Sequence, residues 1–321
     1  MPCIDMPLEK LQSYMGRNPR PADFDEFWDK SLAEMRAIDH KAEFKPFDFP
    51  SAIADFFELT FISTKGAKIY AKVAKPKNVS GKIPAVLKFH GLSGDGGHWS
   101  NLLNFVSQGF VVASLDCRGQ GGKSEDVGGT LGTTHTTQFV RGLDGDPHDL
   151  HYRDVFLDTA MLARIMMEQD YVDETRVGVT GGSQGGGLSI ACAALVPEIK
   201  LCAPIYPYLS DYKRVFDMDL NKNAYEGLRY YFRNFDPTHA REEEIFTKLG
   251  YIDIQFLAPR IRAKVMMGTG LMDNICPPST QFAMYNKITS EKSVVIYPDY
   301  GHESLKGHDD LVFRFLAELA N

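Results

Sequence analysis

The segment 181–185, Gly-Gly-Ser-Gln-Gly, constrains the fold of this chain more than any other feature. A β-type run, 176–180, precedes it, and an apolar helical run begins near Gln184. A sharp strand-to-helix turn of this kind holds its serine in a strained backbone conformation, which only glycine neighbours accommodate, and lifts the hydroxyl clear of the sheet. The bare pattern also arises by chance in glycine-rich turns. The strand and helix on either side favour the prediction that Ser183 is a nucleophile.

Short β-rich runs alternate with longer stretches of helical periodicity along the chain, a pattern typical of parallel strands joined by helical crossovers. Strands are predicted at 56–62, 67–74, 85–89, 111–115, 177–180, 201–205, 265–269 and 294–297, the first two forming an antiparallel start. Helices are predicted at 24–35, 101–107, 154–168, 184–195, 241–249, 280–287 and 309–319. We therefore predict an α/β fold of the α/β-hydrolase type, a mostly parallel twisted sheet flanked by helices.

The domain organisation is expected to be simple. No internal repeat and no Gly/Ser/Pro-rich linker divides the 321 residues, so we expect a single domain over 1–321. Residues 1–50 form an N-terminal helical extension in this interpretation. Residues 206–254 separate two predicted strands and are rich in aromatic and charged residues. We expect them to leave the sheet as an insertion that roofs the active site.

A serine nucleophile needs a base and an acid, which α/β-hydrolases supply later in the chain in the order Ser, Asp, His. Asp273 follows the apolar run 265–272, so it is expected at the same sheet edge as Ser183. His302 follows the run 294–301 and precedes the last predicted helix. His308 lies too near that helix to be preferred. Alone, Asp273 would be read as a solvated loop residue, but the ordered set predicts a Ser183–Asp273–His302 triad.

The tetrahedral intermediate of acyl transfer needs backbone donors. The segment His-Gly-Leu-Ser-Gly at 90–94 follows a predicted strand, and its glycines allow a close approach to a developing oxyanion. We predict the amides of Leu92 and Gln184 as the oxyanion hole, with His90 as a structural residue.

Composition excludes several classes of partner and cofactor. The net charge of −7 gives little attraction for nucleic acid or anionic membranes, and no apolar run approaches the length of a bilayer span. Five cysteines at irregular spacing, without a Cys-x-x-Cys pair, favour reduced thiols over disulfides or a zinc site. The N-terminus lacks the pattern of a secretory signal. We expect a cytoplasmic protein that acts on a small molecule without a cofactor or metal.

Three motifs carry a family resemblance: Arg-Gly-Gln-Gly at 118–121, Gly-Gly-Ser-Gln-Gly-Gly at 181–186 and Gly-His-Glu at 301–303. Together with the segments 21–28 and 152–158, they resemble the acetyl xylan esterase and cephalosporin C deacetylase family, family seven of the carbohydrate esterases. The resemblance extends over nearly the whole chain.

This resemblance implies removal of acetyl groups from small acetylated sugars and from cephalosporin C, with no metal. It also implies a ring-like homo-hexamer whose active sites face an inner cavity. Arg118 and Gln120 would then support the site by bracing loops near it, although Arg118 could also act in the site directly. Relatives commonly carry an aromatic residue, often tyrosine, where this chain has Leu92, which affects the acyl pocket rather than the backbone amide.

Three other classes of function remain open from the residues alone. A peptidase or a longer-chain acyl esterase of the same fold would use the same triad. A non-catalytic binding protein would usually lack a triad member, and none is missing here. A metal enzyme could use the acidic and histidine residues of 144–151, but this turn-rich segment lacks a second ligand group at convincing spacing.

Overall fold

The fold is built around one nine-stranded sheet in a computed structural model that describes residues 4–78, 80–127, 137–220 and 222–320. Its order across the described residues is β1-β2-β3-β5-β4-β6-β7-β8-β9. The strands are β1 Glu43–Phe47, β2 Ala54–Ile62, β3 Lys68–Pro76, β4 Ile83–Phe89, β5 Val111–Leu115, β6 Val172–Gly182, β7 Leu201–Ile205, β8 Lys264–Gly270 and β9 Lys292–Tyr297. Strands β1 to β3 are antiparallel and β3 also pairs antiparallel with β5, whereas β5, β4 and β6 to β9 run parallel.

Eleven α-helices lie within the described ranges. They are α1 Leu8–Leu11, α2 Phe24–Ala37, α3 Leu103–Val106, α4 His151–Met167, α5 Gln184–Leu195, α6 Tyr212–Asp217, α7 Glu226–Phe235, α8 Glu242–Leu249, α9 Ile254–Leu257, α10 Pro278–Tyr285 and α11 His308–Leu316. Helices α2, α4 and α5 contribute to the larger apolar core, while α3 and α11 contribute to a second core. The α/β class, the eight predicted strands and their antiparallel start are confirmed.

The structure corrects the element predictions at β1, at the predicted helix 101–107 and in the insertion 206–254. Strand β1 was not predicted, because its pattern is mostly exposed and Pro46 interrupts it, as an edge strand tolerates. The predicted helix 101–107 is instead a 3₁₀ turn at Trp99–Leu102 followed by the four-residue α3. The insertion 206–254 contains α6, α7 and α8, of which only the last was predicted.

The insertion is attached to the N-terminal segment through a buried aspartate. The Asp211 carboxylate accepts hydrogen bonds from the Tyr14 hydroxyl at 2.8 Å and from the amides of Arg17 and Asn18 at 2.9 Å. The Asp211 amide in turn donates to Asp253 at 2.9 Å. Asp211 therefore anchors the N-terminal segment to the insertion, and Asp253 holds the backbone of Asp211 in place.

Parallel strands bring the predicted triad to one edge. Strand β6 ends at Gly182, β8 at Gly270 and β9 at Tyr297, so the loops that follow them leave the sheet on the same side. Such an edge is where open α/β sheets place their sites.

Candidate active site

Ser183 occupies a strained turn between β6 and α5, with φ 57° and ψ −119°. This is a region that residues other than glycine rarely adopt. Glycines are required on both sides of it. A Cβ on Gly181 would lie 2.4 Å from the Phe89 carbonyl oxygen, and one on Gly185 would lie 2.1 Å from the same atom. The glycines predicted to permit the turn are therefore packed directly against the end of β4.

Ser183, His302 and Asp273 form a hydrogen-bonded chain. The Ser183 Oγ lies 2.9 Å from His302 Nε2, and His302 Nδ1 lies 2.8 Å from Asp273 Oδ2. A carboxylate accepts, so the proton of the neutral ring belongs on Nδ1, and Nε2 can accept from the serine hydroxyl. His308 has another role: its ring packs against Gly268 of β8, its Nδ1 is 3.2 Å from the Tyr297 hydroxyl, and burial lowers its pKa.

Asp273 is completely buried and held by its own loop. Its Oδ1 accepts from the amides of Ile275 at 2.9 Å and Cys276 at 2.8 Å. Hydrogen bonds of this kind supply the charge compensation that a buried carboxylate requires. The carboxylate is thus fixed in position before it orients the His302 ring.

The predicted oxyanion loop lies beside the serine turn. Within the part of the chain that the structure describes, no acceptor is paired with the Leu92 amide. The Gln184 amide belongs to the first turn of α5, where N–H groups have no intrahelical acceptor. His90 is structural: its Nε2 accepts from the Cys117 amide at 2.9 Å, and burial lowers its pKa.

Arg118 and Gln120 differ in their relation to the site. Arg118 is buried and makes a two-pronged contact with Asp158, from Nε at 2.7 Å and Nη2 at 2.6 Å, which ties the loop after β5 to α4. Among the described residues its hydrogen bonds go to Asp158 and Thr64, not to Ser183 or His302. Gln120 instead contacts both oxyanion segments, because it accepts from the Ser93 amide at 2.8 Å and donates to the Gln184 side chain at 2.8 Å.

Comparison with known protein families identifies the family to which this chain belongs. The family described as Acetyl xylan esterase (AXE1) matches residues 1–319. The chain belongs to the acetyl xylan esterase family. The predicted family is confirmed, and with it the enzyme class, a hydrolase of carboxylic esters.

Solved acetyl xylan esterases share the architecture over almost their full length. Acetyl Xylan Esterase 1 from Thermoanaerobacterium sp. JW/SL YS485 is 53% identical with a TM-score of 0.97, over 99% of this chain and 100% of that one. The acetyl xylan esterase from Paenibacillus sp. R4 is 33% identical with a TM-score of 0.91, over 98% and 99% of the two chains. Among curated proteins, Acetyl esterase Axe7A of Xylanibacter ruminicola is 28% identical over 288 residues, 88% of this chain. That match spans 63% of the curated relative, less than two thirds of its length.

The sequence did not predict two residues that lie beside the triad of this acetyl xylan esterase family member. The Tyr206 ring lies 4.7 Å from the His302 ring, between centroids, and its backbone has a positive φ of 34°. Cys276 is completely buried, and burial raises its pKa well above the usual value, which keeps it a neutral thiol. Tyr206 follows the end of β7, so its position after a strand at the same edge was the available sequence signal.

A cavity of about 600 Å³ borders the glycines that precede Ser183. Its walls combine polar and apolar side chains, among them Lys88, Ser100, Asn101, Asn104, Asp309 and Phe313. Lys88 Nζ donates to the Asn101 carbonyl at 3.3 Å, and burial lowers the pKa of this lysine. The cavity borders Gly181 and Gly182, whereas Ser183, His302 and Leu92 are not among its lining residues.

The acidic segment 144–151 shows local hydrogen bonding. Asp146 accepts from the amide of His148 at 2.8 Å and lies 2.7 Å from its Nδ1, while His151 lies buried at the start of α4. Across the described ranges, no group of three or more His, Cys, Asp or Glu side chains is arranged to hold a metal ion.

No helix in the described part of the chain is long and apolar enough to cross a membrane. The four described cysteines are unpaired and buried.

Proposed function

We propose that this chain removes acetyl groups from small acetylated carbohydrates, such as acetylated xylo-oligosaccharides, through an acetyl-serine intermediate. The observation that carries the proposal is the continuous chain of contacts from Ser183 Oγ through His302 to Asp273, at 2.9 and 2.8 Å. Membership of the acetyl xylan esterase family supports acetyl as the acyl group.

In the proposed first half-reaction, His302 Nε2 takes the Ser183 hydroxyl proton as Oγ attacks the acetyl carbonyl carbon. Asp273 holds the ring in the required tautomer and stabilises the imidazolium that forms. The amides of Leu92 and Gln184 donate to the oxyanion of the tetrahedral intermediate, each contributing on the order of 3 kcal/mol to lowering the barrier. Collapse breaks the bond to the sugar oxygen, which leaves as the alcohol after accepting the proton from His302.

The second half-reaction hydrolyses the acetyl-enzyme. His302 removes a proton from a water molecule as the water oxygen attacks the acetyl carbon. Collapse of that intermediate releases acetate and returns the proton to Ser183 Oγ. The proposed cycle uses only water and the chain's own residues, so turnover should be insensitive to a chelator.

Membership of the acetyl xylan esterase family also supports a sugar as the leaving alcohol. By the same resemblance to the family, we propose cephalosporin C as a further substrate and a homo-hexamer as the assembly. We also propose a single domain, no nucleic-acid or membrane partner and a cytoplasmic location.

Ser183→Ala tests the proposed nucleophile. The variant should lose turnover of a chromogenic acetate ester while its thermal unfolding remains cooperative. Ser189→Ala is the matched control, because Ser189 lies on the same helix and its buried hydroxyl donates only to the Gly185 carbonyl, at 2.8 Å. Turnover by Ser183→Ala close to that of the control would overturn the proposal. A panel of acetylated sugars, longer acyl esters and peptides then tests the acyl and alcohol preference, and light scattering tests the hexamer.

A further inference from the structure

The side chains of Gln120 and Gln184 form a reciprocal amide pair beneath the proposed oxyanion hole. Gln120 Nε2 donates to Gln184 Oε1 at 2.8 Å, and Gln184 Nε2 donates to Gln120 Oε1 at 3.1 Å. The two residues are 64 positions apart in the chain, and Gln184 is completely buried. The pair therefore joins the loop after β5 to the first residue of α5.

A backbone donor fixes the orientation of this amide pair. The Ser93 N–H, which can only donate, is 2.8 Å from Gln120 Oε1, so the oxygen of that amide must face Ser93. The Gln120 NH₂ group then faces Gln184, which must present its own oxygen in return. The pair thus has one consistent arrangement, and that arrangement links the residue after Leu92 to the residue after Ser183.

Tyr152 completes the acceptor side of the pair. This tyrosine lies in the first turn of α4, is completely buried, and donates from its hydroxyl to Gln184 Oε1 at 2.6 Å. Burial raises its pKa well above the usual value, so the hydroxyl keeps the proton that it donates. Gln184 Oε1 accepts from both Tyr152 and Gln120, which occupies both of its lone pairs.

We infer that Tyr152 is a positioning residue of the oxyanion hole, which acts on both proposed donors through the Gln184–Gln120 pair. The inference rests on the proposed function, because it assigns a purpose to the amides of Leu92 and Gln184. Its physical basis is independent of that function: loss of the hydroxyl leaves the buried Gln184 Oε1 with one partner fewer, so the Gln184 side chain is held less firmly. The Gln120–Ser93 contact then loosens with it.

Tyr152→Phe tests this inference while preserving the packing of the ring. The kcat for a chromogenic acetate ester should fall by about tenfold, less than the hundredfold to thousandfold loss expected on removing a donor outright. KM should change less than twofold, because the oxyanion forms only after binding. Gln120→Met, which breaks the pair at its other member, should give the same split between kcat and KM.

Amide hydrogen exchange supplies a readout that does not depend on catalysis. The Ser93 N–H is protected by Gln120, so exchange in a peptide covering 90–94 should speed up in Tyr152→Phe. Tyr208→Phe is the matched control, since Tyr208 is also completely buried and its hydroxyl donates to the Ala224 carbonyl at 2.6 Å. The control should lower Tm by a similar amount without changing either kcat or exchange at 90–94.

Equal kcat and equal exchange at 90–94 in the Tyr152 and Tyr208 variants would overturn the positioning role. Ser183→Ala, measured in parallel, separates this outcome from failure of the proposed function. An active Ser183→Ala refutes the triad, and the exchange experiment still decides whether Tyr152 holds the loop. An inactive Ser183→Ala with an unaffected Tyr152→Phe refutes only the inference about Tyr152.

Discussion

Asp273 and His302 are joined by a 2.8 Å contact in which the carboxylate is fully buried and the ring is partly open to the site. Asp273→Asn keeps the shape of that contact, but its oxygen is needed by the amides of Ile275 and Cys276, so its NH₂ group faces His302 Nδ1. The ring then favours the tautomer whose Nε2 carries the proton and cannot accept from Ser183. We expect kcat to fall by roughly 10⁴ with little change in KM.

The measurement is steady-state hydrolysis of a chromogenic acetate ester. Asp299→Asn serves as the control, because Asp299 is exposed and lies on the loop that carries His302. It should retain nearly full activity. An Asp273→Asn enzyme within tenfold of that control would show that the carboxylate does not orient the ring.

Arg118→Met should act on stability rather than on chemistry. The substitution leaves Asp158 buried without its two-pronged partner, and removing one member of a buried ion pair costs about 3 to 5 kcal/mol. Denaturant unfolding should show that loss, while kcat per folded molecule stays within a few-fold. Arg20→Met, which removes an exposed pair with Asp25, should cost less than about 1 kcal/mol. A large fall in kcat with unchanged unfolding would instead place Arg118 in the chemistry.

Asp253 should make the unfolding free energy depend on pH. Burial, followed by the nearby charge of Asp211, raises the pKa of its carboxyl from 3.8 to about 7. Between these values the folded chain holds a proton that the unfolded chain has lost, so the contribution of Asp253 to stability falls as pH rises. Lys287 lies close to both carboxylates, and burial lowers its pKa. The expected decrease in stability with rising pH comes from the raised pKa of Asp253.

Denaturation of the wild type and Asp253→Asn at pH 5 and pH 8 checks this expectation. The unfolding free energy of the wild type relative to that of the variant should fall by roughly 2 to 3 kcal/mol between pH 5 and pH 8, because the unfolded carboxyl is already mostly ionised at pH 5. Asp219→Asn is the control, because that side chain is 86% exposed and should show no such difference. A constant difference between the wild type and Asp253→Asn would show that Asp253 is already ionised at pH 5.

Leu92→Ala should change acyl preference without removing the oxyanion donor. The backbone amide is retained, so kcat for the acetate ester should stay within tenfold. The half-buried side chain is shortened, and the ratio of kcat/KM for butyrate to that for acetate should rise several-fold. Leu103→Ala, a half-buried leucine on α3, should leave the ratio unchanged. An unchanged ratio in the Leu92 variant would place the acyl pocket elsewhere.

The elements nearest the candidate site were the most predictable from sequence. Helix α5 and strand β7 have the predicted bounds, since continuous apolar runs between clear turn residues define them. Strand β6 begins at Val172, five residues earlier than predicted, because Glu174 and Thr175 are exposed there and carry no apolar signal. Helix α7 was missed although Leu228, Tyr231 and Phe232 have helical spacing. Its aromatic and charged composition obscured the pattern.

The contacts within the candidate site were less predictable than the residues themselves. The order Ser, Asp, His along the chain was enough to bring three side chains together, because parallel strands deliver their loops to one edge. The Gln120–Gln184 pair gives no comparable signal, since its partners are 64 residues apart and a glutamine side chain has no periodicity. Tyr206 likewise depends on a backbone φ of 34° that sequence patterns do not specify. Tertiary geometry alone reveals both.

The backbone of Ser183, at φ 57° and ψ −119°, sets stability against function at a single position. A conformation of this kind costs on the order of 1 to 3 kcal/mol for any residue with a side chain, and glycine would avoid most of it. Populations of this gene freed from selection for ester hydrolysis should therefore drift towards glycine at 183, gaining stability as they lose the reaction. Retention of serine at that position across a lineage is then a record of continued use.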